Sequence, residues 1–198
     1  MLNAHPLPEV RTMLRPLLCS LLLCLPLTGF AKVEVKPVQH KTLGPMLVAK
    51  VSEEISPGDY EVLLRGITGN PGRYVKKIVL LDNIGGSVPE AMRMGRLLRE
   101  SGFDALVPST GVCQGTCVYL LAAGRDKTVK GYVGLHKPPF ASGDSVFSGM
   151  TYQGVRYSPA EYFREMNIPT ALLEDMQRIE PRNMRVLSPA ELARYRLN

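Results

Sequence analysis

The chain has 198 residues, of which 45% are hydrophobic and 21% are charged, a composition typical of one globular domain with a substantial apolar core. Its net charge of +6 comes from 24 basic and 18 acidic residues that are scattered along the sequence. The lack of a Lys/Arg run, together with an aromatic content of only 7%, argues against a nucleic-acid-binding surface.

The N-terminal residues have the pattern of a cleavable export signal. Arg11 and Arg15 precede an apolar run over 16–27, and the small residues Gly29 and Ala31 follow it. The run is too short for a permanent transmembrane helix, which needs roughly 20 residues. We therefore expect cleavage after Ala31 and a periplasmic or secreted protein with no stable membrane insertion; an uncleaved signal anchor is the alternative.

After a signal peptide over 1–31, we expect a lead-in over 32–45 and a single folded domain over 46–198. The lead-in is polar and contains prolines, which favours an exposed segment or an edge strand.

The first predicted elements belong to an α/β fold. A strand is expected over 46–51, and Ser56-Pro57-Gly58-Asp59 favours a helix start with Ser56 as the cap. This helix should end at about Gly66. The continuous apolar run over 77–81 is typical of a strand buried on both faces, which indicates a parallel sheet.

Two strand-turn-helix units follow, so we expect a single domain of repeated β-α units. In the first, a Gly-Gly turn over 82–87 leads to an amphipathic helix over 88–101. In the second, a strand over 105–107 leads through a Gly-bearing turn to a buried helix over 117–123. The apolar face of the first helix is formed by Val88, Ala91, Met92, Gly95 and Leu98.

The last third begins with a Gly/Ser/Pro-rich segment, from Lys137 to Gly154, that could serve as a flap. Helices are expected over 159–166 and 170–180, and a short strand over 184–187. A final helix should be capped by Ser188, with Glu191 completing a capping box.

The turn before the helix over 117–123 is the strongest candidate for chemistry. Free N–H groups at a helix start stabilise negative charge, so a nucleophile, an oxyanion or a carboxylate is expected there. Only Cys113, Cys117, His40 and His136 remain as cysteines and histidines of the mature chain, and they lack the spacing of a zinc site. We expect neither a metal nor a cofactor.

Three segments in this order resemble the ClpP/crotonase superfamily, in particular secreted relatives of the proteolytic subunit of the Clp protease. They are LDNIGGSVPEAMRMGRLLRESG over 81–102, VYLLAAG over 118–124 and VGLHKP over 133–138. The resemblance covers about 48–197 and implies a ClpP-like fold.

The resemblance also implies a peptidase site. His136 matches the base, while the Gly85–Gly86 turn and the N–H of Thr116 match the oxyanion donors. The nucleophile position falls on Gly115, where secreted relatives read Cys-x-Ser-x-Cys. A serine mechanism needs a hydroxyl, so the resemblance implies a degenerate peptidase that binds a peptide or protein, and a homo-oligomer like its relatives.

The orienting carboxylate of the family falls on Met184, with Asn183 beside it. Asp175 or Glu180, from the preceding helix, could replace it. Without a nucleophile, His136 could instead serve only to satisfy a backbone carbonyl at a strand end.

Two enzymatic alternatives stay open at this point. Thr116, or a thiolate of Cys113 or Cys117, could act as nucleophile with His136, although two thiols four residues apart in an oxidising compartment also favour a disulfide. An acyl-thioester reaction on coenzyme A, as in crotonases, suits an exported chain poorly.

The signal sequence makes a direct prediction. Mass spectrometry of the protein isolated from its native cell envelope should find a chain that begins at Lys32. A full-length chain retained in the membrane would contradict export with cleavage.

Overall fold

The computed structural model describes Met1 and residues 33–137, 149–180 and 182–198. The predicted signal peptide and most of the predicted flap therefore lie outside the described residues. The strands are β1 (Val33–His40), β2 (Gly44–Ile55), β3 (Lys76–Gly86), β4 (Asp104–Val107), β5 (Val112–Gln114), β6 (Lys127–Val129), β7 (Tyr132–Leu135), β8 (Met150–Tyr152), β9 (Val155–Tyr157) and β10 (Arg185–Val186). The helices are α1 (Asp59–Thr68), α2 (Val88–Glu100), α3 (Cys117–Ala123), α4 (Pro159–Glu165), α5 (Ala171–Arg178) and α6 (Pro189–Arg194).

Strand β3 is the centre of a mixed sheet that contains eight of the described strands. Its first half pairs in parallel with β4, which continues to β6, and its far end pairs in parallel with β5, which continues to β7. The parallel sheet that the sequence predicts is thus present in the interior. The outer strands β1 and β10 are antiparallel to their neighbours.

The helices bury the faces that the sequence assigns to them. The whole predicted apolar face of α2 is buried, and every residue of α3 is buried. α2 and α3 pack against each other as the main helical contact of the domain. In the described ranges, no helix is both long enough and apolar enough to cross a bilayer.

Two local predictions are wrong. Ser56 does not cap α1, since Gly58 with a φ of 100° occupies the cap position, and the Ser56 amide instead donates to the Asp59 carboxylate at 2.7 Å. The strand β4 does not run directly into the Gly-bearing turn before α3, because the three-residue strand β5 intervenes.

Other predictions are confirmed or refined. The lead-in contains an edge strand, β1, whose residues are mostly exposed. The described part of the flap region forms a small hairpin of β8 and β9, which the sequence did not predict. The capping box at Ser188 and Glu191 is present at the start of α6.

Helix α4 is fixed in a notch on α2. The Tyr162 side chain lies against Gly95, where an added Cβ would overlap its hydroxyl and come within 2.9 Å of its Cζ. The same hydroxyl donates to the Tyr119 carbonyl of α3 at 2.7 Å. One tyrosine therefore ties α4 to both central helices.

Glu90 is a fully buried carboxylate inside α2. One oxygen accepts hydrogen bonds from the backbone amides of Gly58 at 2.9 Å and Tyr60 at 2.8 Å, at the start of α1. The other oxygen pairs with Arg93 at 3.1 Å. Because the first amides of a helix have no partner within it, Glu90 caps α1 from a neighbouring helix.

We expect Glu90→Ala to lower the free energy of unfolding by about 2 kcal/mol, because it leaves two part-buried amides without their acceptor and leaves Arg93 with Glu61 as its remaining carboxylate partner. Urea denaturation measures the change. Glu100→Ala, at an exposed position of the same helix, is the matched control and should change stability by less than about 0.5 kcal/mol. Equal effects of the two substitutions would contradict the capping role.

Candidate functional site

The elbow is the turn between β5 and α3. β5 ends at Gln114, Gly115 takes a φ of 53°, and α3 begins at Cys117 with Thr116 as its cap residue. The Gly115 amide donates to the Gly134 carbonyl of β7 at 2.9 Å. A left-handed φ of this kind favours glycine, and the hydrogen bond fixes the turn against β7.

His136 lies beside Gly115. It follows β7 directly and is half-buried. A Cβ built on Gly115 would lie 3.7 Å from the His136 Cδ2 and 3.9 Å from its Cβ, which are ordinary contact distances. The structure thus brings together the two positions that the sequence assigns to nucleophile and base, with room for a small side chain between them.

The Gly85–Gly86 turn approaches other backbone on both sides. A Cβ on Gly86 would overlap the Ile55 carbonyl oxygen and lie 2.7 Å from the Ile55 nitrogen. A Cβ on Gly85 would lie 3.2 Å from the Thr116 nitrogen. Since φ is 105° at Gly85 and 126° at Gly86, only glycine fits at either position.

Thr116 has a structural use for its hydroxyl. The residue is only 5% exposed, and its Oγ1 donates to the Gly86 carbonyl at 3.1 Å. Its backbone N–H has no acceptor among the residues that the structure describes. The side chain therefore joins the elbow to the Gly-Gly turn, while the amide is left without a described acceptor.

Cys113 and Cys117 form a disulfide, and both are fully buried. It joins β5 to α3 across Gly115 and Thr116, as the sequence predicts. Neither cysteine then has a free thiol. Within the described ranges, His, Cys, Asp and Glu form no group of three that could hold a metal ion.

Asn83 is a residue of the site that sequence reasoning missed. It is fully buried, and its Oδ1 accepts from the Gly85 amide at 2.9 Å. Its Nδ2 has no partner in the described part of the chain. The sequence feature that could have identified it is an asparagine two residues before a glycine. Asn side chains commonly accept a hydrogen bond from the backbone amide two residues later and so stabilise a turn.

Met184 occupies the place opposite His136. β10 pairs antiparallel with β7, with Arg185 opposite Leu135 and Val186 opposite Gly134. Continued by one residue, this register sets Met184 opposite His136. A Cβ on Gly134 would lie 2.5 Å from the Met184 sulfur, so the thioether covers the strand beside the imidazole and offers it no charge.

Neither of the carboxylates considered as replacements has a described hydrogen bond or ion pair with His136. Asp175 accepts from the Tyr195 hydroxyl and pairs with Arg178 at 3.0 Å and Arg194 at 3.7 Å. The Tyr195 hydrogen bond holds the pKa of Asp175 below its usual value, although burial opposes this. Asp175 therefore serves the packing of α5 against α6, and Glu180 is exposed.

No family model matches the chain, and no curated protein matches it. The similarity to the ClpP/crotonase superfamily stays a prediction from the three quoted segments.

We expect titration of the unfolded, unreduced mature protein with a thiol reagent to find no free thiols. Replacing both cysteines by alanine should lower the free energy of unfolding by about 2 kcal/mol, because so short a loop constrains the unfolded chain little. A reducing agent should lower the stability of the native protein and leave that of the double variant unchanged. Two free thiols in the native protein would overturn the disulfide and reopen a cysteine mechanism.

Proposed function

We propose that the chain is an exported, ClpP-like homo-oligomer, degenerate as a serine peptidase, that binds an extended peptide or protein segment at the elbow without cleaving it. The observation that carries the proposal is the position of Gly115. A side chain there would lie 3.7 Å from the His136 ring, yet glycine supplies no nucleophilic atom.

The orienting partner is missing as well. A histidine base needs a group that holds its ring and stabilises its positive charge, and the register of β10 sets Met184 opposite His136. Two of the three parts of a serine mechanism are therefore absent from the positions where the family has them. The groups that the site retains, a histidine and backbone amides, favour binding over bond cleavage.

The backbone around Gly115 suits a carbonyl or carboxylate group of a ligand. The Thr116 N–H is unpaired among the described residues and lies at the start of α3, where a negative group is stabilised. The strand β10 pairs only with β7 among the described strands. An extended segment could add to its outer edge, with main-chain hydrogen bonds providing affinity.

The alternative of an active hydrolase has less support. The Thr116 hydroxyl is buried and donates to Gly86, so it is not directed to a substrate through His136. The disulfide removes both thiols. No described contact favours either nucleophile.

We expect the native protein to bind fluorescein-labelled, carboxymethylated casein and to leave it intact. Fluorescence anisotropy measures binding, and mass spectrometry checks the casein. Gly115→Leu should abolish binding by filling the space beside His136. Gly154→Leu is the matched control, because Gly154 also has a positive φ, of 76°, but has open space around it. Equal casein binding by native protein and both variants would contradict the elbow as the site.

A fluorophosphonate probe tests the chemistry on the same protein. The native chain should not react, and Gly115→Ser alone should react little, since an imidazole without its partner loses about four orders of magnitude in rate. Gly115→Ser combined with Met184→Asp should react measurably. Labelling of the native chain that disappears in His136→Ala would overturn the inactive site, and the labelled residue would identify the nucleophile.

A further inference from the structure

The parallel strands β2, β3, β4 and β6 all begin at one end of the sheet, which we call the strand-start end. The register shows this, because Met46 lies opposite Lys76, Ile78 opposite Asp104 and Ala105 opposite Lys127. The elbow, which follows β5, and the Gly85–Gly86 turn lie toward the other end of β3.

Two large aliphatic side chains are exposed together at the strand-start end. Leu43, in the turn between β1 and β2, is 53% exposed, and Val75, just before β3, is 63% exposed. The Val75 amide donates to the Pro45 carbonyl at 2.9 Å, and a Cβ on Gly44 would lie 3.9 Å from the Val75 side chain. We call these two exposed residues, which lie at the same end of the sheet, the aliphatic tip.

Basic residues are frequent in the segments at the same end of the sheet. The segments at the strand-start end contain six Lys and Arg residues against two Asp residues: Lys41, Arg73, Lys76, Lys77, Arg125 and Lys127, with Asp104 and Asp126. Asp104 pairs with Lys76 at 3.1 Å and also accepts from the Asp126 amide at 3.1 Å. Most of the basic charge is therefore not balanced within the cluster.

A cleft of about 470 Å³ opens among these residues, and its charged lining consists of Lys76, Lys77 and Arg125 with Asp104 and Asp126. The Arg125 guanidinium carbon would lie 3.4 Å from a Cβ on Gly102, so this group packs over the end of α2. The pKa of Lys127 is lowered mainly by burial and less by the nearby Arg99, and Asp126 opposes both effects.

We infer that the strand-start end docks onto the surface of an anionic membrane, a function independent of the peptide site. Leu43 and Val75 would enter the boundary between headgroups and acyl chains, and the basic residues would contact lipid phosphates. Binding to a membrane interface grows with the buried apolar area and with the attraction of basic residues to anionic lipids, and this end of the sheet offers both. A soluble acidic partner would need no such tip, so the aliphatic pair favours lipid.

The lack of tryptophan in the chain permits a direct test. Leu43→Trp introduces a single reporter at the tip, and Ile84→Trp introduces one at an exposed position near the other end of β3. Vesicles of phosphatidylethanolamine with phosphatidylglycerol should shift the Leu43→Trp emission to the blue and leave Ile84→Trp unchanged. Phosphatidylcholine vesicles should shift neither. No shift at Leu43→Trp, or equal shifts at both positions, would overturn the inference.

Charge neutralisation tests the basic part on the native background. The triple variant Lys41→Gln, Arg73→Gln, Arg125→Gln should bind the anionic vesicles about a hundredfold more weakly, since each basic residue contributes about fivefold. The control Lys50→Gln, Arg164→Gln, Arg182→Gln removes the same charge from exposed positions elsewhere and should bind within a few-fold of the native protein. Thermal unfolding checks that both are folded. Equal loss in the two variants, or equally tight binding of polyglutamate, would reject a specific membrane surface.

Discussion

The backbones of β2 and β3 approach so closely at Gly86 that a Cβ there would overlap the Ile55 carbonyl. On the opposite side of the same turn, Gly85 lies against Thr116, whose hydroxyl bonds to the Gly86 carbonyl. Three segments that are distant in sequence are thus held together by close backbone contacts and one threonine hydroxyl. The place of Gly115 relative to His136 follows from this contact, because the elbow cannot move without displacing β3.

The two ends of the parallel strands have different chemical character. The end near the elbow combines glycine backbone, the imidazole of His136 and an amide that has no acceptor in the described part of the chain. The strand-start end combines lysine and arginine with an aliphatic tip. Since β3 extends for eleven residues between them, about 35 Å at 3.3 Å per residue, a protein docked by one end would leave the other facing away from the membrane and accessible.

Elements with strong periodicity were predictable from the sequence. Helix α2 and the buried helix α3 appear where apolar spacing and composition place them, and the disulfide joins the expected cysteines. The strand β5 was missed because three residues show no period. The roles of Glu90 and Asn83 were missed for another reason: their polar side chains are buried through contacts with partners that local pattern does not reveal.

The notch at Gly95 has a consequence for how the sequence can vary. Tyr162 fills the space that any side chain at position 95 would need, and its hydroxyl bonds to the Tyr119 carbonyl. A larger residue at 95 is therefore compatible only with a smaller one at 162, and the free energies of substitutions at the two positions cannot be additive. Positions 95 and 162, which lie on different helices, must therefore change together: a larger side chain at 95 is tolerated only once the side chain at 162 has become smaller.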